Sequence, residues 1–215
     1  YIRTSSLIEI SSKDFYVVDI FRARGGNEHL YSFHGAEGRV TTEGLDLVKE
    51  EKGTYFGEDV EFAADVYGDY SAQRPGQGFQ YLHSVQRGNM KGDTFSVEYD
   101  IVDTWGANSP PRNVKLRLTG LGEYDHVDLA LGDPPQLSKN PKHLQYVLVG
   151  NVRDPDKPST LDEEGLLSTQ FTMVIEAYEK RRVVKSIERL QPMEGCILAQ
   201  PVAVKVEVPG RVDYI

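Results

Sequence analysis

Apolar and polar residues alternate with a period of two through most of this chain, and that period places successive side chains on opposite faces of a sheet. In FSVEYDIV, Phe95, Val97, Tyr99 and Ile101 share one face while Ser96, Glu98 and Asp100 share the other. NVKLRL sets Val114, Leu116 and Leu118 against Lys115 and Arg117, and VAVKVEV aligns Val202, Val204, Val206 and Val208. HVDLAL and FTMVIEAY alternate more loosely, as strands covered on both faces do. Turn signals such as Gly25–Gly26, PGQG from Pro75 and GDPP from Gly132 divide the chain into roughly ten to fourteen strands. Only LDLVKEE from Leu45 and LDEEGLL from Leu161 predict short helices or helical turns. The expected fold class is all-β: one large antiparallel β-sandwich of stacked sheets over residues 1–215.

Two polar stretches, Gln136 to His143 and Arg153 to Glu164, are rich in Pro, Lys and Asp and predict exposed loops. The chain opens on Tyr1 within the alternation and closes on GRVDYI without a polar tail, so it reads as a piece of a longer multidomain protein. Its 215 residues suffice for a proper core. Charge then narrows the partners. With 24 Lys+Arg against 33 Asp+Glu, the net charge of −9 argues against nucleic acid as a ligand. An acidic polysaccharide would need a local basic patch working against that field. The single Cys196 makes no internal disulfide and has no partner at zinc-site spacing. No apolar run approaches the ~20 residues of a membrane-spanning helix, so no membrane span is expected, and no motif implies a cofactor.

Candidate chemistry concentrates in DFYVVDIFRARGGNEHLYSFHG, Asp14 to Gly35. Asp19 is the odd member of an apolar row with Phe15, Val17 and Phe21. A carboxylate there must be paired. Two readings stay open: a structural ion pair with an Arg from a neighbouring strand, or a general base or ligand orienter. The double glycine predicts a tight reversal whose flanking strands pair as a hairpin at the sheet's edge. His29 and His34, five positions apart, point to opposite faces and cannot share a metal without a bulge. They are read as strand-edge histidines, with sugar hydroxyl contacts as the alternative. His83, His126 and His143 are isolated in sequence and read as structural or exposed. GQGFQ at Gly76 imitates a nucleotide motif weakly, since a strand follows it. Trp105 lies among Gly and Pro residues, either a lid over the core or an exposed sugar platform. The cations Lys180, Arg181, Arg182, Lys185 and Arg189 predict a solvated hairpin turn or a local anion site.

Four stretches, SSKDFYVVDIFRARGGNEHLYSFHG, FQYLHSVQRG, QFTMVIEAYEKRRVVKSIERL and VAVKVEVPGRVDYI, together resemble the C-terminal β-sandwich region of heparinase II/III-like polysaccharide lyases. They occur in the expected order and span nearly all of the chain. The resemblance implies β-elimination of a uronate-containing polysaccharide, with a Tyr/His pair as general acid and base and a polar group that neutralises the uronate. It also implies a missing N-terminal helical toroid domain of the same chain and a periplasmic or extracellular location. The family's catalytic Asn, His and Tyr have no counterpart here, and its catalytic and metal-binding His motif would precede Tyr1. Fold and context carry over; catalysis and metal binding do not. His29, Tyr31, His34 and Trp105 remain as candidates for touching an acidic polysaccharide or oligosaccharide. The rival readings are a free-standing carbohydrate-binding or adhesion sandwich and an inert structural module.

Overall fold

The computed structural model describes residues 1–63, 78–107, 112–135, 137, 139–156, 161–190 and 202–215. Cys196 and Pro75 to Gln77, which belong to the PGQG turn and the GQGFQ stretch, lie outside them, as do parts of the two polar loops and of the segment after Trp105. The described residues form fourteen strands and no α-helix, and no helix is long and apolar enough to cross a membrane. The all-β expectation holds: the strands make three antiparallel sheets in a sandwich-like arrangement.

The first sheet has six strands in the order β1 (Ile2–Glu9), β2 (Phe15–Arg24), β11 (Ser168–Glu179), β8 (Val114–Leu121), β7 (Thr94–Ile101) and β4 (Gly38–Glu43). The second runs β3 (Glu28–His34), β10 (Leu144–Val152), β9 (His126–Gly132), β6 (Leu82–Met90) and β5 (Leu45–Lys49). The third is β12 (Ser186–Leu190), β13 (Ala203–Val208) and β14 (Arg211–Tyr214). Alternation explains the layering. Phe95, Val97, Tyr99, Leu118, Phe171 and Met173 of the first sheet meet Tyr31, Val127, Leu129, Val147 and Val149 of the second. On the opposite face of the first sheet, Tyr16, Val18, Ile20, Leu121 and Val174 pack against Val204, Val206 and Val208 of the third. Each such side chain, fully buried, contributes about 1.5–3 kcal/mol by removal from water. Strands β2 and β11 therefore carry apolar residues on both faces, which is why FTMVIEAY alternates loosely.

Beyond the reach of the third sheet the same face turns polar. Arg117 bonds to Glu43 and Glu98, Tyr178 to Glu98, and Arg182 to the buried Glu176. Burial raises the Glu176 carboxyl, against the opposing pull of Arg182. On the outer face of the second sheet a smaller core of Leu82, Val85, Ala130 and Leu148 is roofed by Tyr55 and Phe79, the latter in a single 3-10 turn, Phe79–Tyr81.

Several local expectations change. Gly25 and Gly26 do adopt positive φ, 86° and 77°, but β2 and β3 do not pair. Both edges of β2 are taken, by β1 and β11, so the chain crosses to the second sheet, where β3 pairs β10. The expected hairpin is a sheet-to-sheet crossover. LDLVKEE forms β5 rather than a helix, because Leu45 to Lys49 find the free edge of β6. LDEEGLL is a turn closed by a Leu161–Leu167 bridge, with the Asp162 carboxylate accepting the Glu164 and Leu166 N–H groups. EKRR is likewise no hairpin: it carries the chain from β11 in the first sheet to β12 in the third.

Candidate functional site

Of the four residues singled out from sequence, two face the seam between the first and second sheets. His29 holds Thr169 Oγ1 at 2.9 Å through Nδ1 and the Gly25 carbonyl through Nε2. A carbonyl only accepts, so Nε2 carries the proton and Nδ1 accepts from the threonine. Tyr31 is 4% exposed and donates its hydroxyl to Asp19 Oδ2 at 2.8 Å. The other two come together elsewhere. His34 and Trp105 line a groove of about 590 Å³ at an open end of the sandwich, between Leu116 and Ile175 on one side and Pro134, Asn140 and Pro141 on the other. Trp105 is 58% exposed. His34 packs its ring on Tyr146, centroids 4.9 Å apart, and donates Nδ1–H to the Gly35 carbonyl. Among the described residues no Asp, Glu, Lys or Arg lines this groove.

Asp19 is paired as its position requires. Arg3 of β1 donates to both carboxylate oxygens, at 2.9 and 2.7 Å, and Ser5 and Tyr31 add one bond each. Burial alone would raise this carboxyl, but the bonds from Arg3, Ser5 and Tyr31 outweigh it and hold it below its ordinary value. The neighbouring-strand Arg is the structural partner expected for it.

A second cluster was not visible as one in the sequence. Asp128, on the outer face of β9, accepts the Tyr55 hydroxyl at 3.0 Å, the Gly88 N–H at 2.9 Å and an Arg87 Nη1–H at 3.1 Å. Arg87 also pairs with Glu50 and stacks its guanidinium 4.4 Å from the Tyr55 ring centre. His126 Nδ1 lies 3.1 Å from Asp128, at an angle outside hydrogen-bond geometry. Its ring rests where a side chain at Gly150 would stand, since a Cβ there would come within 2.1 Å of Nε2. Burial would raise Asp128; the His126 imidazole, the Gly88 N–H and the Tyr55 hydroxyl together lower it. The group opens on a cavity of about 450 Å³ with Glu28, Phe56 and Phe79 in its wall. One guanidinium stands against the carboxylates of Glu28, Asp128 and Glu50, so the local charge repels a uronate. Burial first, then the Asp128 charge, push the Tyr55 phenol above its ordinary value; Tyr55 is a hydrogen-bond donor rather than a base.

A third cluster joins His83, Asp133 and His143, with His83 Nε2 and His143 Nδ1 at 3.0 and 2.6 Å from Asp133 Oδ1. The three histidines His83, His126 and His143 are thus not isolated: each stands beside an aspartate. Sequence held one usable signal, because Asp128 interrupts the outward row of HVDLAL as Asp19 interrupts its own. Tyr55, Arg87 and Gly88 lie 73, 41 and 40 positions from Asp128, and His83 lies 50 from Asp133, so no spacing announces them. No protein-family model and no curated protein matches this sequence.

Proposed function

We propose that this chain is a glycan-contacting β-sandwich, the C-terminal β-region of a polysaccharide lyase of the heparinase II/III-like kind, and that it meets sugar at the His34–Trp105 groove. The observation that carries this reading is the groove itself: a half-exposed indole beside an imidazole, over apolar walls without fixed charge. Such a surface suits the C–H face of a pyranose ring, with His34 and Asn140 available to the hydroxyls. The Asp128 cavity, of opposite electrostatic character to what a uronate needs, is a weaker candidate. Cleavage itself is assigned to residues of the parent protein rather than to this chain; here the sandwich supplies a wall of the cleft and a binding platform. The order of the four resembling stretches supports the lyase context, and the stacked antiparallel sheets are compatible with it.

Calorimetric titration of the chain with neutral and uronate-containing oligosaccharides tests the reading. Saturable binding is expected, weakened about tenfold or more in Trp105→Ala, with the fold retained because the indole packs little into the core. Binding that survives both Trp105→Ala and His34→Ala would sink the groove assignment. A free-standing binding module differs in two respects: the protein in its native source would then carry no helical toroid and would release no unsaturated uronate product.

A further inference from the structure

We propose that His83, Asp133 and His143 form a three-ligand site for a divalent transition metal of the zinc class. Their ligand atoms all lie within 4.8 Å of one another. Two imidazoles and one carboxylate are a donor set for Zn²⁺ or its first-row neighbours rather than for Ca²⁺ or Mg²⁺, which take oxygen ligands. Around a tetrahedral ion with bonds near 2.0–2.1 Å, ligand atoms sit about 3.4 Å apart. The observed 3.0 and 2.6 Å contacts need to open by less than about 1 Å to admit one.

The backbone supplies the second argument. The three ligands stand at neighbouring strand ends of one sheet: His83 in β6, Asp133 just after β9, and His143 just before β10. Between His83 and Gln86 the β6 register shifts, and Ser84 there adopts φ 52°, a left-handed conformation unusual for a residue with a side chain. That kink re-aims His83 and brings Ser84 Oγ to 2.9 Å from its Nδ1. Without an ion, Nε2 donates to the Asp133 carboxylate and Nδ1 accepts from the Ser84 hydroxyl; an ion replaces the Nε2 proton, and Ser84 can then accept from Nδ1–H, the tautomer that a ligating histidine requires. Phe62 lies edge-on against His83. The half-exposed ring of His143 leaves the remaining coordination open to water. An ion here ties β6 to the connection between β9 and β10. The other side of that connection, Pro134, Asn140 and Pro141, walls the Trp105 groove. The metal proposal does not depend on what the groove binds.

Chelator-treated protein titrated with Zn²⁺ at neutral pH, and separately with Co²⁺, tests it. One ion per chain is expected, with visible Co²⁺ bands of a tetrahedral or five-coordinate N/O site and a rise in melting temperature on Zn²⁺ addition. Asp133→Asn and His143→Gln should each weaken binding at least tenfold; the latter position is exposed enough that folding is not at stake, and far-ultraviolet dichroism checks both variants. His34→Gln should leave the affinity unchanged. Absence of stoichiometric uptake would leave a metal-free hydrogen-bonded triad and overturn the proposal. Uptake that persists in both ligand variants, or falls equally in His34→Gln, would overturn it as well.

Discussion

Among the described residues the same trio occurs twice. In the seam between the first two sheets, Asp19 accepts from Tyr31 and Arg3, with the Arg3 guanidinium 5.7 Å from the Tyr31 ring centre. On the outer face of the second sheet, Asp128 accepts from Tyr55 and Arg87, and the cation lies 4.4 Å from the ring. Residue chemistry does not separate the two; surroundings do. Around Asp19 the carboxylate's partners are side chains that close the end of the core, and His29 seals the neighbouring turn. Around Asp128 the partners stop at a cavity, and a backbone N–H and an imidazole take part. An Asp–Tyr–Arg trio is therefore a fastening device in one place and the floor of a recess in the other, and only the space in front of it distinguishes the roles.

Removing each carboxylate is the strongest way to break this comparison. Asp128→Ala leaves the Tyr55 hydroxyl and the buried Gly88 N–H without their acceptor and Arg87 paired with Glu50 alone, and should cost about 3 kcal/mol in urea unfolding. Asp19→Ala should cost about 2 kcal/mol, since Arg3 is 57% exposed and can turn to water. Equal losses would show that the cavity does not matter to the energetics. Acid titration comes next in size. Both carboxyls lie below their ordinary value of 3.8 in the folded protein, so each contributes stability above that pH, and the contribution is lost as pH falls from 3.8 through the lowered folded value. Chemical denaturation between neutral and acid pH should show a steep acid limb that flattens in Asp19→Asn and in Asp128→Asn; an unchanged limb in both variants would assign acid unfolding to other groups. The smallest effect sharpens the contrast most. Tyr31→Phe, in a sealed seam, should cost about 1.5 kcal/mol, whereas at Tyr55→Phe water entering the recess replaces the hydroxyl and the cost should be about 0.5 kcal/mol. The reverse order would mean that the recess is dry.

Strand identity was legible wherever one face is buried and the other is not: Phe95, Val97 and Tyr99 are all 0–1% exposed, as their alternation requires. Sheet membership was not. Gly25–Gly26 has the backbone freedom of a hairpin turn, and nothing local says that β2 already has two neighbours. LDLVKEE is short enough to satisfy helical and extended patterns alike, and the edge of β6 decided between them. For the sites, burial logic identified Asp19 and its need for an arginine. Asp128 was not singled out in the same way, and its partners Tyr55 and Arg87 come from distant segments. Trp105 and His34, taken separately from flanking residues and from strand position, share one groove; His29 and Tyr31, in the same stretch as His34, point the other way because a strand reverses its faces at every residue.

The crossover at Gly25–Gly26 also sets a timetable. Strand β2 reaches its second partner only through β11, where Phe21 pairs with Phe171, about 150 residues later in synthesis. At about 5–20 residues per second, a nascent chain holds that apolar edge open for roughly 8–30 s. Native stability is of no help during that interval, because the strand that supplies it has not yet been made. Recovery of this domain from a host cell should consequently depend on holdase capacity and on translation speed between β2 and β11 more than on any single contact of the finished fold.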